Sequence, residues 1–428
     1  MIDSKTIREN PAIVRDNLSK RYNEAILSSF DKWVIQDKEW RVLKAEVDDL
    51  RAKRNSITEE IKLAKGKGVD TKALLAKAKS LPVDTKKKEE RLKELEEENK
   101  ELIMRIPNIL HDSVPFGKDD SNNVPIKFWG DAVKPKFELK HHGELAKALG
   151  VAEFDRAVKI SGAGFFYLKG DLALLDLALQ RLAIDILVEK GFTLIQPPLM
   201  MNKKAYSGVT DLGDFETVMY KIEGEDLYMI ATSEHPLVSM YMDESFEEKD
   251  ITTPIRFVGV SPCFRKEIGK HGLDERGFFR VHQFNKVEQV VFCRPEDSWK
   301  EFESISKNQE IFFQKLEIPY RVVNVCTGDM GIVAAKKFDI EGWSPREGKY
   351  IELGSCSNCT SYQAVRLNIK YKKKDGTKEY VHTLNNTMVP TTRTLRVLIE
   401  NYQTKDGTIK VPKALQIYMN GKTEIKLK

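Results

Sequence analysis

Cys263-Phe264-Arg265-Lys266-Glu267 opens a polar run that holds Gly269, His271, Gly272, Asp274, Glu275, Arg276 and Gly277, and Phe279-Arg280-Val281-His282-Gln283-Phe284 closes it. Apolar flanks around a turn-rich middle predict two strands joined by a loop. On the first strand the Arg265 guanidinium and the Glu267 carboxylate stand two residues apart and so share a face. A guanidinium grips a phosphate through two donors, and an aromatic ring on the returning strand can stack on a purine. Adenylate chemistry needs both contacts. The plain alternative is a surface hairpin with a solvated ion pair, and the neighbouring segments decide between the two.

Outward from this hairpin, short β-type runs such as Phe165 to Leu168, Ile255 to Val258 and Gln289 to Phe292 are separated by turn residues, with amphipathic helices expected at about Gly170 to Lys190 and Pro295 to Leu316. Irregular mixing of strands and helices predicts an α+β domain on an antiparallel sheet. No G-x-x-x-x-G-K-[ST] phosphate loop is present, so a nucleotide would have to be held another way. Upstream lies Gly191-Phe192-Thr193-Leu194-Ile195-Gln196-Pro197-Pro198-Leu199-Met200; downstream lies Asn385-Asn386-Thr387-Met388-Val389-Pro390-Thr391-Thr392-Arg393-Thr394-Leu395, where a strand feeds a helix whose start carries Arg393. A helix N-terminus beside an arginine suits an anion on electrostatic grounds.

These three stretches resemble motifs 2, 1 and 3 of the class II aminoacyl-tRNA synthetases. Further segments narrow the resemblance to the seryl-tRNA synthetase family: Thr232-Ser233-Glu234, Val281 to Glu288, Glu352-Leu353-Gly354-Ser355-Cys356-Ser357-Asn358, and Tyr380 to Asn385, with Ile106-Pro107-Asn108 and Ser113-Val114-Pro115 nearer the N-terminus. The resemblance covers essentially the whole chain. Bacterial members commonly carry Asn-Gly-Ser-Gly in motif 3, whereas this chain has Asn386-Thr387-Met388 and then Thr392-Arg393, closer to eukaryotic and archaeal members; Gly354 stands where serine is frequent.

The resemblance implies a serine–tRNA ligase that makes seryl-adenylate from L-serine and ATP, releases pyrophosphate, and charges tRNA(Ser), with tRNA(Sec) as an additional candidate acceptor. It implies Arg265 and Arg393 as the catalytic cations. ATP would lie against Arg265, Lys266, Glu267, Val281, Phe284, Glu352, Leu353, Gly354, Ser355 and Arg393, with Glu352 and Ser355 holding Mg²⁺. Serine would lie against Thr232, Ser233, Glu234, Arg265, Glu288, Asn385 and Thr387. A homodimer closed through the motif 1 segment also follows from the resemblance. Two other readings stay open at this point: a class II ligase for alanine, glycine or threonine, and a catalytically silent RNA-binding paralogue, against which the triphosphate-clamp residues argue.

The N-terminal quarter has a different texture. From about Phe30 to Lys67, Trp33, Trp40, Val47 and Ile61 recur on a seven-residue spacing with Leu43, Leu50 and Ile57 between them, the stripe of a coiled coil. Lys65-Gly66-Lys67-Gly68 breaks it, and a second stripe runs through Leu74, Ala78, Leu81, Leu92, Leu95, Leu102 and Ile106. Pro82 inside this stripe predicts a kink or a helix start near Leu81 to Asp84. Heptads alone point to a dimerisation coil. Ahead of a seryl-type catalytic domain they imply an arm that grips the long variable arm of tRNA(Ser), with Lys53, Lys65, Lys67, Lys72, Lys77 and Lys79 facing phosphates. The expected organisation is a helical arm at 1–108, a turn-rich linker at 109–135 and a catalytic domain at 136–428.

Composition is compatible with this and excludes little by itself. The 428 residues carry a net charge of +5, mild enough for a polyanion-binding protein or an ordinary soluble one. No apolar run approaches the ~20 residues of a membrane span, and Met1 to Lys5 lacks a signal-peptide core, so a cytoplasmic protein without a membrane partner is expected. The five cysteines are expected to be free thiols. Only Cys356 and Cys359 have C-x-x-C spacing, and without a second ligand pair no structural zinc is expected.

Overall fold

A computed structural model describes residues 1–68, 70–211, 213, 217–267 and 277–427, apart from the side chains of residue 74 and residues 77–84. The expected positions Lys77 and Lys79, the stripe residues Leu74, Ala78 and Leu81, and the loop residues Gly269, His271, Gly272, Asp274, Glu275 and Arg276 fall outside this description. The chain divides into two compact units, one of Ile2–Ser19 with Asn23–Pro107 and one of Met1, Lys20–Tyr22 and Asn108–Lys428.

In the first unit, α1 (Glu24–Gly66) starts where the Asn23 side chain accepts from the amides of Ala25 and Ile26. Its 43 residues span about 65 Å at 1.5 Å per residue. It ends at Lys67, and Gly68 takes a positive φ of 72° that a side chain would disfavour. The second helix, α2 (Lys72–Arg105), runs through Pro82 as one element, so no helix starts at Leu81 to Asp84. The strong helix formers of the Lys-, Glu- and Leu-rich turns on either side outweigh the hydrogen bond that proline removes.

The two helices pack antiparallel, as cross-helix pairs Gln36–Glu98, Glu46–Lys88 and Arg51–Glu89 show by their opposed numbering. Phe30, Trp33, Val47, Leu95 and Ile103 are buried, while Trp40, Leu43, Leu50, Ile57 and Ile61 are half-buried. Asp37 is buried and is held by Arg8 at 2.6 Å and Arg41 at 3.0 Å.

The second unit is built on a sheet of eight strands among the described residues: β1 (Val124–Trp129), β2 (Thr193–Ile195), β3 (Ile255–Phe264), β4 (Gln283–Cys293), β5 (Tyr320–Asn324), β6 (Lys336–Ser344), β7 (Lys349–Asn358) and β8 (His382–Pro390). Their order is β1-β5-β6-β7-β8-β4-β3-β2, antiparallel throughout except the β2–β3 pair. Strand β1 lies inside the segment 109–135 that reads as a linker. Pro125 disguises it in the sequence; here it sits at a register shift on the sheet edge, where a missing amide donor is tolerated.

The helices used below are α3 (His142–Ala148), α4 (Gly170–Glu189), α5 (Ser298–Lys315) and α6 (Thr391–Tyr402). Leu172, Leu175 and Leu179 of α4 and Phe302, Ile305, Phe312 and Phe313 of α5 belong to the main apolar core. On the α5 side of the sheet, Gln289 and Asn386 donate to the Ile305 carbonyl at 3.1 and 2.6 Å. Strand alternation therefore turns Glu288, Asn385 and Thr387 to the other face, where the cavity opens. No helix among the described residues is long and apolar enough to cross a membrane.

Candidate active site

The hairpin of the opening stretch forms as its pattern predicts: β3 and β4 pair with Cys263 opposite Phe284, and the Arg265 amide continues the ladder to the His282 carbonyl at 2.9 Å. Arg265 then turns its guanidinium inward. Its Nε donates to the Ala231 carbonyl at 3.2 Å, and its carbon lies 5.4 Å from the centre of the Phe284 ring. Glu267 is paired with Arg280 of the returning limb at 3.6 Å.

Arg265, Glu267 and Phe284 line a cavity of about 460 Å³ together with Thr232, Glu234, Val281, Glu288, Glu352, Leu353, Gly354, Ser355, Asn385, Thr387 and Arg393. Segments more than a hundred residues apart in sequence thus meet at one place. Arg393, in the first turn of α6, lies 3.2 Å from the Glu352 carboxylate and 3.3 Å from its carbonyl. Burial pushes the Glu352 carboxyl up, but Arg393 and Lys337 outweigh it and hold it below the ordinary range.

Deeper in, Thr387 Oγ1 donates to Glu288 Oε2 at 3.1 Å, and Lys286 Nζ lies 2.5 Å from the same oxygen. Glu234 is the most perturbed carboxyl of this wall. Burial, reinforced by Glu288 and opposed by Lys286 and Arg265, raises it to about 7, and Gln363 donates to it at 3.0 Å. Burial likewise holds the His235 imidazole well below its usual range, with Lys286 and Arg265 adding to the effect. A site of this kind, with a cationic rim at one end and opposed buried charges at the other, suits a polyanion beside a small zwitterion.

Two expected residues do not line the cavity. Ser233 is buried with its hydroxyl packed towards Gly259, where a Cβ would come within 2.7 Å of it. Lys266 falls between Arg265 and Glu267, so period-two alternation carries its side chain to the opposite face while its amide donates to the Val218 carbonyl at 2.9 Å. The lining also includes residues that carried no assignment in the sequence, among them Lys286, Phe279 and His235. Lys286 was within reach, since it shares a strand face with Phe284 and Glu288. Phe279 is a platform for two arginines, Arg393 at 5.3 Å and Arg396 at 4.4 Å from its ring centre. The cysteines are all buried thiols, and burial raises Cys356 and Cys359 well above their usual range.

Against known families, residues 1–110 match the seryl-tRNA synthetase N-terminal domain and residues 217–402 match the class II tRNA synthetase core domain for G, H, P, S and T. The serine–tRNA ligase of Methanocella arvoryzae is 55% identical over 423 residues, 98% of this chain and 99% of that protein. The chain belongs to the seryl-tRNA synthetase family. Its reaction is that of a serine–tRNA ligase. Among solved structures, seryl-tRNA synthetase from Pyrococcus horikoshii complexed with ATP superposes with a TM-score of 0.94 at 46% identity, covering 100% of both chains. The cytoplasmic serine–tRNA ligase of Naegleria fowleri in complex with AMP gives 0.86 at 37% identity, covering 98% of this chain and 96% of that one. Archaeal and eukaryotic relatives thus surround the synthetase, in keeping with the Thr387-Met388 form of its third motif.

Proposed function

We propose that this cavity activates L-serine with ATP and then passes the seryl group to the 3′ end of tRNA(Ser), with named side chains in separate roles. The observation that carries the reading is the division of the cavity into a cationic, aromatic end and a buried carboxylate end. Arg265, Phe279, Phe284 and Arg393 make the first; Glu234, Glu288, Lys286 and Thr387 make the second. The adenine stacks on Phe284 with its amine near Glu267, Arg265 neutralises the α-phosphate, and Arg393 at the start of α6 takes the γ-phosphate.

Serine enters with its ammonium towards Thr232 and Glu234 and its hydroxyl towards Glu288, Asn385 and Thr387. Its carboxylate attacks the α-phosphorus as the bond to the β-phosphate oxygen breaks, so pyrophosphate leaves and no protein nucleophile is involved. The 3′ hydroxyl of the terminal tRNA adenosine then attacks the seryl carbonyl, and AMP departs. Both steps rely on positioning and charge neutralisation. Alanine is rejected because it would leave the buried Glu288–Thr387–Lys286 group without the hydroxyl it is arranged to receive.

Glu352 and Ser355 suit Mg²⁺. They offer one carboxylate and one hydroxyl on the same wall, hard oxygen donors too few to cage a cation but enough to share one with a triphosphate. No group of three or more His, Cys, Asp or Glu side chains fit to hold a metal occurs among the described residues. When bound, the ion would neutralise charge on the phosphates.

The helical hairpin supports binding of the tRNA variable arm, since Lys53, Lys65, Lys67 and Lys72 are exposed at or near its turn. A homodimer closed through the motif 1 segment fits the exposed Leu194, Leu199 and Met200. Serine-dependent ATP–pyrophosphate exchange tests the activation step: the wild type should exchange and Arg265→Ala should not, whereas near-normal exchange in that variant would overturn the role of Arg265.

A further inference from the structure

Behind the Phe279 wall lies a buried polar cluster with no part in the chemistry above. His142, the first residue of α3, is fully buried, and its Nε2 accepts from the Phe278 amide at 3.3 Å. With Nε2 accepting, the ring proton belongs on Nδ1, which faces Glu400 Oε1 at 3.7 Å. Glu400, on α6, accepts from Ser344 Oγ at 2.5 Å and from Arg396 Nε at 3.2 Å. Burial pushes the Glu400 carboxyl up, yet His142, Ser344 and Arg396 together hold it below its ordinary range.

The returning limb of the hairpin is pressed directly onto this cluster. Gly277 has a φ of 78°, and a Cβ there would stand 2.6 Å from His142 Nε2. Phe279, two residues on, faces the cavity and lies under the guanidinium groups of both Arg393 and Arg396. Helix α6 thus carries the carboxylate that faces His142 and, seven residues earlier, the arginine at the cavity rim.

We propose that His142 and Glu400 are a positioning pair that fixes the limb Gly277–Phe279 and thereby sets Phe279 and Arg393 for ATP. An apolar pair of similar volume would serve stability as well, since buried ionic groups add little net stability over packed hydrocarbon. It could not receive the Phe278 amide in a fixed direction. Nor could it tie the limb to α6. The inference rests on the proposed seat of ATP, and it concerns substrate affinity rather than the chemical step.

The test is serine-dependent ATP–pyrophosphate exchange with full-length His142→Phe, His142→Gln and Glu400→Gln. Phenylalanine keeps the volume and loses the acceptor; glutamine brings an amide oxygen to about the place of Nε2. His142→Phe should raise KM for ATP about tenfold, the scale of one buried hydrogen bond, with KM for serine changed less than about twofold. His142→Gln should return KM for ATP to within about threefold of wild type. A folded His142→Phe with unchanged KM for ATP, or with both KM values raised alike, overturns the proposal. If that variant does not fold, Glu400→Gln decides: a rise confined to KM for ATP supports the pair, and an unchanged value overturns it. Absence of exchange in the wild type would instead remove the proposed function itself.

Discussion

Charge is used in opposite ways in the two units. Along the helical hairpin the Lys, Arg and Glu side chains are mostly exposed, as in Arg51–Glu89, where the two are 49% and 37% exposed. In the cavity the charges are sunk among strands and answer one another over short distances: Lys286 and Glu288 are 7% and 1% exposed and lie 2.5 Å apart. Exposed pairs are screened and contribute little, whereas a buried pair leaves an uncompensated charge if one partner is lost. The hairpin should therefore tolerate substitution one residue at a time, and the cavity should not.

The largest effect is expected at Arg265. Arg265→Ala should lower serine-dependent exchange by at least about 10³-fold, while thermal unfolding shows a folded protein. Next comes the hairpin as a whole. Reversing the charge at Lys65, Lys67 and Lys72 together should cut kcat/KM for tRNA(Ser) by about 10²-fold at low salt and leave exchange unchanged. A parallel loss of exchange would tie the hairpin to activation and erase the contrast.

A smaller effect concerns pH. Burial raises Glu234 to about 7, and in the proposed role only its ionised form would attract the serine ammonium. Affinity for serine should thus fall as pH drops through 7, approaching about tenfold per unit below it. Glu234→Gln should bind serine weakly at every pH, with a flattened profile when KM for serine is measured from pH 5.5 to 8.5. The smallest effect belongs to the exposed pair. Arg51→Ala should change stability by no more than about 1 kcal/mol in chemical denaturation.

The residues that could be placed from sequence are those whose pattern is local. The opening hairpin, the heptads around Trp33 and Val47, and the strand-to-helix passage at Arg393 each declare themselves within about ten residues. Alternation alone separates Lys266 from Arg265 and Glu267, and joins Lys286 to Phe284 and Glu288. What stayed hidden depends on distant partners. Ser233 faces inward because Gly259 of a neighbouring strand packs against it. His142 matters through Phe278, 136 residues away. Strand β1 was masked by Pro125, a residue that argues against a strand except at an edge, and that it is an edge follows only from the assembled sheet.

Selectivity is the property in which the cavity's buried charges should be most visible. Amino-acid-dependent ATP–pyrophosphate exchange by the wild-type chain, measured with serine, alanine, glycine and threonine, tests it most directly. Serine should exceed alanine in kcat/KM by about 10⁴-fold or more, as expected where a buried polar group waits for a substrate hydroxyl; comparable rates with alanine would contradict the assignment of Glu288, Thr387 and Lys286 to the serine hydroxyl.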